Sequence, residues 1–170
     1  LKCKRKAWLD FKGDQKYKNW SAQNSIQNFI EFKTFKDYTE NNLFSGLKGC
    51  EHGYMGVFGI KLHYNLKQDL EIIVNPSILI KVKGESIWGN YKYIPAISKL
   101  GNRTTKEHLF DLALSSIALE KFQNSSVDHG LVLKRYKNHI KTEKIFFKEQ
   151  LKDKAINIFS ELKNSLNQNI

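Results

Sequence analysis

Residues 76–101 read PSILIKVKGESIWGNYKYIPAISKLG and residues 104–123 read TTKEHLFDLALSSIALEKFQ. The β-branched run Ile78 to Val82 predicts a strand, and Tyr91 to Leu100 a second one. Pro95 has no N–H to give to a ladder, so an edge or a bulge is expected around it. Thr104-Thr105-Lys106-Glu107 fits a capping box, with Glu107 reaching back to the cap, and a helix follows to about Gln123. Its apolar residues, from Leu109 and Phe110 through Leu112, Leu114, Ile117 and Leu119 to Phe122, cover most of the circumference. Such a helix is buried on several sides.

Outward from this strand, strand and helix unit, Leu70 to Val74 and the glycine-interrupted stretch Met55 to Tyr64 predict further strands. Gly130 to Leu133 and Ile140 to Phe147 read as a hairpin pair. Leu151, Ala155, Ile158, Phe159, Leu162 and Leu166 are spaced for an amphipathic last helix. Toward the amino terminus, residues 1 to about 12 read as a short helix stopped by Gly13-Asp14. A second helix is expected from an N-cap at Ser21, with Ile26, Phe29, Ile30 and Lys33 along one side, ending before Asn41-Asn42. The class is α/β or α+β. At 170 residues the chain suits one domain with its own core and is short for two ordinary ones. Its opening at Leu1, inside the dense run LKCKRKAWLDF, is expected of a piece of a longer polypeptide, with flanking domains beyond it.

Cys3 and Cys50 have no CxxC or CxxH partner, which excludes a zinc ribbon, a redox motif and a disulfide framework. Both are expected as reduced thiols, Cys50 buried. No apolar run approaches the roughly 18 residues of a membrane span, so neither a membrane partner nor a secretory signal is expected, and the location expected is cytoplasmic.

The net charge is +11, from 28 Lys and Arg against 17 Asp and Glu. Residues 1–20 carry seven basic and two acidic side chains, and residues 134–154 carry eight and three, so ten of the eleven excess charges sit in two segments. Clustering of this kind points to an anionic polymer. Lys4, Arg5, Lys6, Lys12, Lys134, Arg135, Lys137 and Lys141 are the candidate nucleic-acid contacts. Lysine supplies phosphate affinity and carries little base information, so weak sequence specificity is expected, DNA being the first candidate.

LKCKRKAWLDFKGD and the quoted central stretch together resemble the RecB-like branch of the PD-(D/E)xK nuclease superfamily. Cys3, Arg5, Trp8 and Leu9 match its opening C-x-R-x-x-W/Y-L helix, and residues 1 to about 135 follow its order and spacing. The resemblance implies a restriction-endonuclease-like fold, a mixed central sheet flanked by helices. It also implies a metal site of two carboxylates and a lysine, followed by a helix with a Gln-x-x-x-Tyr motif. Residue by residue, the Pro-Asp position reads Pro76-Ser77, and acid-x-Lys reads Ala96-Ile97-Ser98. The Gln and Tyr positions read Asp111 and Ser115. Lys99 sits one place off and is expected on the other side of its strand.

The resemblance therefore implies a domain that keeps the fold and the basic surface, needs no metal, and binds nucleic acid without cutting it: a pseudo-nuclease. The alternative is an active Mg²⁺-dependent nuclease whose catalytic groups have migrated, with Asp111, Glu107, Glu85 and Lys99 as candidates and Asp69, Glu71 and Lys106 near them. Asp111 is the least explained acid, because it falls among the apolar residues of a core helix. A third class is a protein-interaction scaffold whose basicity reflects codon usage. The histidines His52, His63, His108, His129 and His139 show no metal-ligand spacing. Trp88, Tyr91 and Tyr93 suit either core packing or base stacking. Cys3 and Cys50 are too few for an iron–sulfur cluster.

Overall fold

The structure, a computed structural model, describes residues 22–67, 70–99, 104–137 and 139–167. The expected first helix, Ser21, Cys3, Lys4, Arg5, Lys6, Lys12, Trp8, Trp20 and Asp69 lie outside them. The elements are α1 (Ala22–Tyr38), β1 (Leu43–Ser45), α2 (Lys48–Glu51), β2 (Gly56–Phe58), β3 (Leu62–Lys67), β4 (Leu70–Val74), β5 (Ile78–Ser86), β6 (Gly89–Lys99), α3 (Lys106–Gln123), β7 (His129–Tyr136), β8 (His139–Phe146) and α4 (Glu149–Asn167). A six-stranded mixed sheet has the order β1-β2-β5-β6-β7-β8, and β3 and β4 form a separate antiparallel hairpin. The β5–β6 and β7–β8 pairs are antiparallel, and β6 and β7 run parallel, joined by α3.

Alternation along the strands sorts side chains onto two faces. Ile78, Ile80, Ile94, Ala96, Leu131 and Leu133 share the face covered by α1, where Arg135 Nε donates to Thr34 Oγ1 at 2.9 Å. Leu79, Tyr93, Ile97 and Val132 share the other, where Leu112 of α3 packs against Ile97 and Val132. Over α3 lie the β3–β4 hairpin and α4, whose Ala155 and Leu151 meet Ala113 and Leu114. With material on both sides, α3 is the buried helix expected, and Leu112 to Leu119 are all buried.

Four details differ from expectation. Met55 to Tyr64 is not one strand: Gly59, at φ +67°, turns the chain, so β2 joins the large sheet and β3 the hairpin. The cap of α3 is Thr105, one residue later than the box suggested. Its partner at the third helical position is therefore His108, whose Nδ1 accepts from Thr105 N–H at 3.1 Å, and not Glu107. The stripe of α1 that meets the sheet centres on Phe35 and on Thr34 and Thr39, whose hydroxyls donate to Ile30 and Phe35 carbonyls within the helix, while Ile26 and Phe29 are 61% and 68% exposed. Those internal bonds satisfy the threonines and let them be buried.

The fourth is Pro95, which lies in the interior strand β6. The parallel ladder to β7 begins at Ala96↔Leu131, one residue later. Before it begins, the buried side chain of Gln123 stands in for a strand: Oε1 accepts from Tyr93 N–H at 2.9 Å and Nε2 donates to Tyr93 C=O at 3.1 Å. N–H directions repeat every second residue, so the donor missing at Pro95 would have pointed to this same edge, where no ladder partner yet exists. Replacing Gln123 by Ala leaves two buried backbone groups without partners, and a loss of about 2 kcal/mol or more is expected in urea unfolding. An unchanged midpoint would contradict this account of β6.

Candidate functional site

Ser77, Ala96, Asp111 and Ser115, four of the five positions aligned with the nuclease residues, line one cavity of about 260 Å³. The fifth, Ser98, is buried in β6 and does not line it. The β4–β5 junction supplies Asn75 and Ser77, β6 supplies Pro95 to Ile97, and α3 supplies Asp111 to Ser115. The short β4–β5 link and the packing of α3 on β6 bring these segments together. The polar groups are hydroxyls, an amide and one carboxylate. Mg²⁺ favours carboxylate oxygens and sheds water reluctantly, so this lining suits hydrogen bonding to a neutral group better than holding a divalent ion. Among the described residues, no three His, Cys, Asp or Glu side chains are grouped to hold a metal.

Asp111 is not inside the apolar face of α3, as the sequence suggested, but exposed at the cavity mouth. Its place in the helix turns it away from Leu112 and Leu114. Protein mass around the carboxyl and the nearby Glu107 push its pKa up, against the opposing pull of His108. Glu107 and Glu85 are exposed and neither lines the cavity. Lys99 is 6% exposed and lies, as its position implies, on the opposite face of the strand from Ser98. Burial and the neighbouring Lys134 push its pKa down, with Glu143 opposing.

Of the candidate nucleic-acid contacts within the described residues, Lys137 and Lys141 are exposed around the β7–β8 turn. Lys134 pairs with Glu143 at 2.6 Å. Arg135 is tied to α1 through Thr34, the Lys33 carbonyl and the Asp37 carboxylate. The histidines have local partners: His63 meets Glu71 at 2.7 Å, His129 meets Asp128 at 3.0 Å, and His139 stacks on Tyr136. His108 belongs to the α3 cap, and burial and Lys99 push its pKa down. His52 is exposed.

Trp88, Tyr91 and Tyr93 belong to the core. Tyr93 packs edge-on against Trp88 at 5.5 Å, and its hydroxyl donates to the Tyr54 carbonyl at 2.7 Å. Cys50 is a buried free thiol whose pKa is pushed up to about 12, mainly by burial. No helix among the described residues is long and apolar enough to cross a membrane.

Sequence reasoning missed Glu143 and Thr104. Thr104 Oγ1 donates to Glu143 Oε2 at 3.0 Å, the oxygen that also pairs with Lys134, and these two bonds pull the Glu143 pKa down. The signal available was the spacing of Lys141 and Glu143, two apart and hence on one face of β8; their meeting with Lys134 and Thr104 depends on register.

Compared with protein-family models and with curated proteins, the chain matches none.

Because the Asp111 pKa is raised, ionisation is harder in the folded than in the unfolded protein, and stability falls as pH rises through the ordinary value of 3.8 toward the folded value. Asp111→Asn is expected to raise the melting temperature at pH 7 slightly, solvent screening keeping the gain small. The gain disappears below pH 3.8, where both states are protonated. Thermal unfolding across that range checks it, and a loss of stability at pH 7 would mean that the carboxylate serves a partner instead.

Proposed function

We propose that this chain is a nucleic-acid-binding domain with a RecB-like nuclease fold that has lost its cleavage chemistry. The observation that carries the reading is the convergence of Ser77, Ala96, Asp111 and Ser115 on one cavity. These positions are scattered over 39 residues of sequence, and the resemblance had aligned them with one metal site. The mixed sheet flanked by helices, with α3 following β6 and packing against it, is the arrangement that the resemblance implies. Within the cavity the residue types argue against metal-assisted hydrolysis. Ser77 stands at the first carboxylate position and Ala96 at the second, while Ser98, at the lysine position, lies outside the cavity, so neither the carboxylate pair that holds Mg²⁺ nor the lysine that positions an attacking water is in place.

Binding is then an electrostatic matter. Lysines contact phosphates, release counterions and read little sequence. Lys137 and Lys141, exposed on the β7–β8 hairpin, are the described residues best placed to do so. A labelled short DNA duplex titrated with the protein is expected to show affinity that falls steeply with salt and depends little on sequence. It should come out uncut with Mg²⁺ or Mn²⁺ present. Absence of binding at moderate salt would overturn the reading, and cleavage abolished by Asp111→Asn would replace it with a migrated-acid nuclease.

A further inference from the structure

Lys99, Lys134 and Lys141 stand directly opposite one another across three adjacent strands: Lys99↔Lys134 join β6 to β7, and Lys134↔Lys141 join β7 to β8. Opposed residues share a face and neighbouring strands lie about 4.8 Å apart, so three ammonium stems rise side by side from the α3 face of the sheet. Like charges placed opposite each other destabilise a sheet. Glu143 is the carboxylate beside the row, bonded to Lys134 at 2.6 Å and to Thr104 at 3.0 Å. Lys99, 94% buried, has no hydrogen bond or ion pair among the described residues. Its ammonium keeps contact with water, since no buried side-chain nitrogen among the described residues lacks a hydrogen-bond partner, and the fold holds it beside a second lysine.

The bond from Thr104 to Glu143 sets the amino-terminal turn of the 18-residue helix α3 beside the row. That end of a long helix carries partial positive charge and favours anions. Acids are close as well: Glu107 in the first turn and Asp111 one turn further on act on His108, which Lys99 also reaches. Glu143 pairs with the middle lysine of the row.

From this geometry we propose that the Lys99–Lys134–Lys141 row at the start of α3 is a binding site for a phosphate group. A tetrahedral phosphate presents several acceptor oxygens, suits lysine as a point charge, and adds negative charge where Glu143 stands beside three opposed lysines. The group comes either from a polynucleotide backbone, which rests on the nucleic-acid reading above, or from a free phosphate or phosphomonoester.

The test uses the whole chain, with Lys99→Met and Lys141→Met. Inorganic phosphate is titrated against chloride at equal ionic strength and thermal unfolding is followed. The wild-type midpoint is expected to rise with phosphate. Lys99→Met should melt higher than wild type without phosphate and lose the phosphate-dependent rise, and Lys141→Met should lose part of it. Should Lys99→Met fail to fold, Lys141→Met carries the comparison.

In parallel, DNA affinity is measured at moderate salt. Binding about tenfold weaker in Lys99→Met, the size of one charge-assisted contact, identifies the polynucleotide backbone as the source. Unchanged DNA affinity with a lost phosphate response identifies a free phosphate group. A phosphate response that depends on Lys99 in a protein that does not bind DNA keeps the site and discards the nucleic-acid reading. DNA binding that neither variant alters, with no phosphate response in wild type, overturns the site and leaves that reading standing. A phosphate response equal in all three proteins also overturns it.

Discussion

The buried amide of Gln123 holds the central strand and its covering helix in register with each other. By pairing with both backbone groups of Tyr93, it continues the edge of β6 over the stretch that β7 has not yet reached. The Gln123 carbonyl accepts from Ile87 N–H at 3.1 Å, which latches the end of α3 to the β5–β6 turn. At its other end α3 is fixed over β8 by the bond from Thr104 to Glu143. An 18-residue helix is about 27 Å long, so two anchors at its ends set where every residue between them falls on the sheet. The cavity lined by Asp111 and Ser115 and the lysine row under the first turn both take their places from these anchors.

Charge balance follows from the same framework. A metal-dependent phosphodiesterase concentrates carboxylates where the phosphate must sit, and the metal ion reverses their sign. With Ser77 and Ala96 in the aligned positions, the cavity keeps one carboxylate, Asp111, and on the neighbouring strands Glu143 pairs with Lys134. On the reading proposed, loss of the acids removes both the chemistry and the need for a metal to make phosphate approach favourable. Binding without cleavage is then a consistent electrostatic state of the site.

Much of the fold was legible in the sequence. Strand β4 at Leu70–Val74 and helix α3 to Gln123 were marked by β-branched runs and by the all-round apolar pattern. What escaped depends on partners distant in sequence. The sheet-facing side of α1 carries Thr34 rather than Ile26 and Phe29, and Thr34 meets Arg135, about a hundred residues further along the chain. Pro95 signalled an edge correctly in the local sense, since its missing donor faces an unpaired stretch, yet the strand itself is interior. Asp111 looked buried because its neighbours are apolar, and helical rotation carries it outward. Of the candidate site, Ser77, Ala96, Asp111 and Ser115 were legible through resemblance alone. The alignment of Lys99 with Lys134 and Lys141 exists only once strand register is known.

Register also changes how the basic segments are weighed. Counted along the chain, Lys134, Arg135, Lys137 and Lys141 contribute equally to the carboxy-terminal excess of charge. In the fold they differ. Arg135 spends its planar donors on Thr34, Lys33 and Asp37 and so joins β7 to α1; a bidentate group already bonded there is poorly placed to read a base edge. Lys134 shares its charge with Glu143. Lys137 stands in the hairpin turn at φ +40°, exposed, and Lys141 is exposed beside it on β8. On the reading proposed, the surface offered to an anion is therefore narrower than the charge count suggests. It is made of lysines at one end of the sheet, which suits a partner recognised by its phosphates more than by its bases.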